Sequence, residues 1–368
     1  MKTYDFGILG AGIAGMSLAK ELKASGAKVF LADTKKVGSG GSGAPMGLVN
    51  PATGRYATYT WRADEGYEVV KNNLEVVHQY SGKTFYKING VLRPAMDARI
   101  ASRMKENVEH PNWPDGWIEW KTEQEVQTLH PGITCVEGGV WLPQAITVDM
   151  GGFIDAFSHY NTSQGVDVFT HIRSEVQETG SDYLITLEDG EQIAAKNLIY
   201  TSGYYSLLTD FWNTLPLVPV KGQLAIMRYL KAQDLPFSHS ISALGYTTTL
   251  GGNEFVVGST YEHSFEHEDP DPKGLDYLMS RFGKVLPDIK AHSEVIGRWS
   301  GMRASTPNRK PIMGKHPGKE NLYVFAGLGS KGLLYGGMLA KDLTDHMLDN
   351  TPLHPDIDIQ RLFCPVLK

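Results

Sequence analysis

Glycines at 10, 12 and 15, an aspartate at 33 and an arginine at 303 are the residues of this chain whose types and spacing could do chemistry. The first four suit a dinucleotide. Gly10 permits a tight turn, Gly12 lets backbone approach a pyrophosphate, and Gly15 lets a helix pack closely on a strand. The N-terminus of that helix would aim unpaired N–H groups and partial positive charge at the phosphates. Asp33, 23 residues after Gly10, could accept hydrogen bonds from ribose hydroxyls. Arg303 stands far downstream in the polar, turn-rich stretch "GMRASTPNRKPIMG". It is either surface charge or a fork that holds an anionic substrate against whatever the other end of the chain binds.

Two glycine-rich stretches extend this pattern. Residues 37 to 54, "VGSGGSGAPMGLVNPATG", read as a loop whose backbone could lie along an extended cofactor, with Gly41 and Ser42 near phosphate and Met46, Gly47 and Leu48 near a ring system. Such a loop argues against a plain NAD-linked dehydrogenase. Near the end, "NLYVFAGLGSKGLLYGGMLAKDLTDHML" reads as strand, loop and helix. A developing anion at that helix N-terminus would be stabilised by backbone N–H groups and by Lys331.

Positioning these residues takes a strand from Tyr4 to Leu9, a helix with Leu18 and Leu22 on one face that Gly26 ends, and a second strand in "KVFLAD". Trp61 to Tyr80 and "EQEVQTLHPGI" read as helices. "GGFIDAFSHYNTSQGVDVF" reads as helix then strand, and "YLITLEDGEQIAAKNLIYTSG" as a hairpin turning at Asp189 and Gly190, then a buried strand. Val176 and the segment from Thr201 through Ser202 to Gly203 then sit where a returning sheet would touch the nucleotide. "PVKGQLAIMRY" and "NEFVVGSTYEHSF" are strands of an antiparallel sheet in a second unit.

Composition narrows the classes. With 368 residues, 41% hydrophobic and 21% charged, the chain has material for two globular domains. A net charge of -6 and no basic run longer than pairs such as Lys35 and Lys36 leave no nucleic-acid footprint. Cys135 and Cys364 form neither a disulfide framework nor a metal spacing. Together with the absence of a leader or membrane-length apolar run, this points to a cytoplasmic protein. His263 and His267 beside Glu266 and Glu268 lack the H-E-x-x-H order, so a solvated acidic loop is expected and no metal. The aromatics of "PNWPDGWIEW" are expected to pack rather than stack bases.

Together, "GILGAGIAG", "GSGGSGAPMG", "PVKGQ", "GMRASTPNRKPIMG" and "AGLGSKGLL" resemble the D-amino-acid oxidase superfamily of flavoproteins, which includes glycine oxidase and monomeric sarcosine oxidase. "FVVGSTYEHSF", "GLGSKGL" and "NTPLHPDI" are most similar to the flavin-dependent half of the bifunctional bacterial enzyme that makes methylaminomethyl groups on tRNA wobble uridine; its methyltransferase half has no counterpart here. The resemblance implies an α/β fold: a Rossmann-type FAD-binding domain (1–84, 144–217, 297–368) and an α+β substrate domain on a mainly antiparallel sheet (85–143, 218–296). It implies FAD held by Gly10, Gly12, Ile13, Ala14, Gly15, Asp33 and Thr34, by Gly41, Ser42, Met46, Gly47 and Leu48, by Val176 at the adenine with Ser202 and Gly203, and by Gly327, Leu328, Gly329, Ser330, Lys331, Gly332 and Leu333.

The resemblance also assigns roles at the substrate. Arg303 and Tyr246 would hold a carboxylate, and the loop with Lys331 would stabilise charge on the reduced ring. The cysteine that tethers flavin in sarcosine oxidase falls at Gly301, implying noncovalent FAD, and the oxygen-activating lysine falls at Val256, leaving the electron acceptor open between oxygen and another. The implied reaction is oxidation of a C–N bond in a small amino acid or N-substituted glycine, followed by imine hydrolysis. The alternatives are oxidative removal of the carboxymethyl group from modified tRNA wobble uridine, and a flavin-binding subunit without its own turnover.

Overall fold

The computed structural model describes residues 1–172, 175–180, 182–232 and 235–362; Cys364 lies outside the described residues. The opening apolar run forms β1 (Lys2–Leu9), followed by α1 (Ile13–Ala24) and β2 (Val29–Ala32). Leu18 and Leu22 of α1 are fully buried, each stabilising the packing by roughly 1.5–3 kcal/mol relative to exposure. Next come β3 (Met46–Val49), β4 (Ala52–Thr53), β5 (Thr58–Tyr59), α2 (Ala63–Ser81), β6 (Tyr86–Ile88), β7 (Val91–Pro94) and α3 (Ala98–Val108). Beyond them lie β8 (Glu119–Thr122), α4 (Glu123–Leu129), β9 (Gly138–Leu142), β10 (Ile146–Asp149) and α5 (Met150–Ser163).

The chain then builds β11 (Asp167–Phe169), β12 (Val176–Thr179), β13 (Asp182–Thr186) and β14 (Gln192–Tyr200). A second run of strands follows: β15 (Val218–Tyr229), β16 (Ser240–Ile241), β17 (Tyr246–Gly251) and β18 (Glu254–Gly258). It closes with α6 (Pro272–Val285), α7 (Pro287–Ala291), β19 (Ser293–Ser305), β20 (Ile312–Lys315), β21 (Leu322–Ala326) and α8 (Gly332–Asp349).

The fold is α/β. Its first sheet has a parallel Rossmann-type core in which β11, β2, β1, β14 and β21 are successive neighbours. α1, α5 and α8 supply apolar faces to one core with it. The second sheet runs β19-β15-β18-β17-β16-β7-β9-β8 and is antiparallel at every pairing except β16 with β7. β19 stays paired with β15 as far as Ser305, so the sequence boundary at 296/297 falls inside a strand.

Two local expectations are corrected. Residues 37 to 54 are not one loop: buried Met46 and Val49 anchor β3, which pairs antiparallel with β10. Arg303 is not in a turn but on β19, with the turn beginning after Ser305. The tryptophan-rich stretch packs, Trp113 edge-on to Tyr59 at 4.9 Å and Trp117 to Tyr67 at 4.8 Å. Among the described residues no His, Cys, Asp or Glu cluster could hold a metal ion, and no helix is long and apolar enough to cross a membrane.

Candidate active site

A cavity of about 1580 Å³ runs between the two large sheets, well above the ~300–1,000 Å³ of a single small-molecule site. One end is the β1–α1 turn. Gly10 has φ +119°, and a Cβ there would meet the Thr201 carbonyl carbon at 2.6 Å, so only glycine fits. The Thr201 hydroxyl donates to the Gly10 carbonyl at 2.7 Å and fixes the turn. Asp33 accepts from the Ala11 and Lys35 N–H groups at 2.8 and 2.9 Å, one on each oxygen, leaving further acceptor capacity at the cavity wall. Ser42 accepts from the Ile13 N–H at 3.0 Å and lays the 41–43 turn over the N-terminus of α1.

Every residue expected at the cofactor lines this cavity except Gly15. Gly15 sits behind the turn, where a Cβ would stand 2.0 Å from the Gly10 carbonyl oxygen; it closes helix on strand and does not face a ligand. The 327–333 segment approaches from the far side, with the Gly329 N–H donating to the Ala304 carbonyl at 2.8 Å. That bond ties the N-terminus of α8 to the strand that carries Arg303. The Lys331 ammonium lies 3.4 Å from the Arg309 carbonyl and over the Tyr335 ring. Burial, reinforced by the neighbouring Arg309, lowers its pKa.

Arg303 and Tyr246 come together in the same cavity. The guanidinium donates to the Thr260 carbonyl at 3.1 Å and the Ser259 hydroxyl at 2.7 Å, and stacks 4.5 Å from the Tyr261 ring centre. Among the described residues it has no ion-pair partner. Tyr246 donates to the Met46 carbonyl at 3.2 Å; burial raises its pKa, opposed by the nearby Arg303 charge. Met46, Leu224 and Val256 form a dry apolar patch beside it, and Val256 is fully buried there.

Sequence reasoning missed several parts of this site. Gly222 stands across from Gly301 in the β15–β19 ladder, and the Arg303 guanidinium occupies the space a Cβ at 222 would need. Behind it, fully buried Lys221 donates to Asp271 at 2.7 Å, Gln223 bridges Asp271 and Glu262, and the Thr260 hydroxyl bonds Glu262 at 2.5 Å. The quoted "PVKGQ" was the available signal. At Gly301 the space for a side chain is filled by the Trp299 ring, 2.3 Å from where a Cβ would stand.

A family model described as DAO, FAD dependent oxidoreductase, matches residues 5–346. The chain belongs to this family of FAD-dependent oxidoreductases. The tRNA 5-methylaminomethyl-2-thiouridine biosynthesis bifunctional protein MnmC of Leptospira interrogans is 24% identical over 370 residues, covering 89% of this chain and 55% of that protein. The chain thus spans about half the length of the MnmC relatives it matches. Glycine oxidase of Geobacillus kaustophilus is 22% identical over 356 residues, covering 93% of both chains; its crystal structure superposes with a TM-score of 0.84 at 21% identity, covering 96% of each. Iminodiacetate oxidase from Chelativorans sp. BNC1 superposes with a TM-score of 0.79 at 21% identity, covering 95% of this chain and 96% of that one. The cavity of this FAD-dependent enzyme suits its cofactor: a glycine-only turn, two helix N-termini and a continuous wall between them form a cradle for a long dinucleotide.

Proposed function

We propose that this flavoenzyme oxidises the C–N bond of a small amino acid or N-substituted glycine, with FAD bound noncovalently along the cavity from Gly10 to Leu333. The observation that carries this reading is Arg303, a guanidinium on the cavity wall without a carboxylate partner among the described residues, beside Tyr246. FAD supplies the two-electron acceptor. Arg303 offers the substrate carboxylate paired charge-assisted hydrogen bonds that fix orientation as well as charge, and Tyr246 can turn its hydroxyl toward the same group. Met46 and Leu224, backed by buried Val256, keep water from the reacting carbon. The N-terminus of α8 and Lys331 bring positive potential to the opposite side. The oxidised substrate, an imine, hydrolyses to a carbonyl compound and an amine.

The test is anaerobic mixing of the FAD-loaded protein with glycine, sarcosine, D-amino acids, proline and carboxymethylaminomethyl-uridine while flavin absorbance is followed. Bleaching by a free amino acid supports the reading; bleaching by none overturns it. A second reading, removal of the carboxymethyl group from modified tRNA wobble uridine, is favoured by the size of the cavity and by the MnmC relatives. That nucleoside is itself an N-substituted glycine, so the same Arg303 anchor would serve, and bleaching by the modified uridine alone would select it.

A further inference from the structure

The cavity continues past Tyr246 to a wall that the chemistry above does not use. Three arginines from different elements converge there around two loops, 52–55 and 242–244. Arg93, on β7 and only 5% exposed, donates to the Ala52 carbonyl at 3.0 Å, to the Gly54 carbonyl and to the Ser242 hydroxyl at 3.3 Å. Its Nε, also buried, has no hydrogen-bond partner among the described residues. Arg281, on α6, donates from Nε to the Leu244 carbonyl at 2.5 Å, two residues after Ser242. Arg55 follows Gly54 and is exposed. All three line the cavity, and among the described residues none is paired with a carboxylate.

The acids lining the cavity, Asp33, Glu175 and Asp210, all belong to the first sheet and its connections, at the nucleotide end. A chain of net charge -6 therefore gathers along one wall three guanidinium groups that have no carboxylate partner among the described residues, and the one that is buried, Arg93, is costly without a counterion unless a ligand brings the anion. β7, which carries Arg93, lies two strands from β17 with Tyr246 and five from β19 with Arg303, strand separations of roughly 10 and 24 Å. A free glycine held by Arg303 cannot reach so far.

We propose that this wall is a second oxyanion subsite, and that the substrate is an N-substituted glycine whose substituent carries a carboxylate or phosphate at its far end. The inference rests on Arg303 holding the glycine carboxylate. Arg281 and Arg55 contact the distal oxyanion, while Arg93 fixes both loops and adds its charge from behind.

Anaerobic flavin bleaching by N-(ω-carboxyalkyl)glycines, the matching ω-phosphonates and the matching ω-carboxamides, in a series of increasing chain length, tests it. One or both oxyanion series should exceed the carboxamides by about 10- to 100-fold in second-order rate, and whichever is faster identifies carboxylate or phosphate as the source. The advantage should vanish in the double variant Arg55→Gln/Arg281→Gln and persist in Arg281→Lys, which keeps the charge. Equal rates for oxyanion and carboxamide, or an advantage that survives the double variant, would overturn the subsite. Thioether analogues with sulfur in place of the amine nitrogen bind without being oxidised, so shifts of the flavin spectrum separate the two ideas. Tighter binding of the ω-oxyanion thioethers supports the subsite even if no amine bleaches the flavin, an outcome that sinks the amine-oxidation reading alone; equal binding overturns the subsite.

Discussion

Substituting Gly222→Ala tests the carboxylate anchor without touching the anchor itself. The added Cβ would stand 2.3 Å from Nη1, 2.4 Å from Nη2 and 2.5 Å from Cζ of Arg303, whereas non-bonded contact begins near ~3.5 Å. The backbone at 222 cannot retreat, because it is paired with Gly301 of β19 on one side and its neighbours Lys221 and Gln223 are bonded to the Glu262 and Thr260 backbone on the other. The guanidinium must therefore move by about 1 Å, far enough to break its bonds to Thr260 and Ser259 and misalign its fork. Losing one charge-assisted bond to the substrate costs about 2 kcal/mol, or about 30-fold in kcat/KM. Arg303→Ala should cost at least as much, and Arg303→Lys should restore part of the loss by keeping charge without the fork. The assay is the second-order rate of anaerobic flavin bleaching, run in parallel with glycine and with glycinamide, which lacks the carboxylate. A Gly222→Ala protein that reacts with glycine at the wild-type rate, or loses equal ground on both substrates, refutes the anchor.

Other consequences follow from the same cavity. Asp271→Asn leaves buried Lys221 without its counter-charge and should lower stability by about 3–5 kcal/mol at neutral pH. Lys221 holds the Asp271 carboxyl down at about 2, so the stability this pair contributes is complete above the unfolded carboxylate value of ~3.9 and is lost as pH falls through 2; melting curves of wild type and variant should converge on acidification. With the Trp299 ring over Gly301, acid precipitation of the yellow protein should release all its FAD into the supernatant, and flavin retained in the pellet would contradict noncovalent binding. Val256 offers no cation to oxygen, so turnover with an artificial dye acceptor should outrun turnover with oxygen; oxygen consumption at the dye rate would contradict it.

How much of this was legible in the sequence depends on how local each cause is. The β1–α1 turn was legible in full, because the glycine spacing, the apolar run before it and the Leu18–Leu22 stripe after it lie within one short segment. Asp33 was legible for the same reason, although the structure adds that its carboxylate also holds the backbone of Ala11 and Lys35. The stretch from 37 to 54 misled because glycine and serine outnumber its apolar residues. What makes β3 a strand is β10, about a hundred residues away, which buries Met46 and Val49. The strand that carries Arg303 was not legible, because the polar, turn-rich residues that follow Arg303 hide the strand it ends. The three arginines of the far wall were invisible, since Arg55, Arg93 and Arg281 meet only through carbonyls and hydroxyls of two loops and leave no spaced motif.

β19 explains why the parts that were legible converge. Its residues up to Ser305 belong to the second sheet, where the pairing of Val220 with Arg303 and of Gly222 with Gly301 sets the guanidinium against the substrate space. At Ala304 the same strand accepts the Gly329 N–H and so fixes the loop that leads into α8. Arg303 and the loop that leads into the N-terminus of α8 are thus linked through adjacent residues of one strand. If Arg303 anchors the substrate carboxylate as proposed, the Gly329–Ala304 bond keeps the anchored end beside the loop that leads into α8. On the proposed reading, a subsite on the far wall would then accept substituents of different length while the reacting carbon stays in one place.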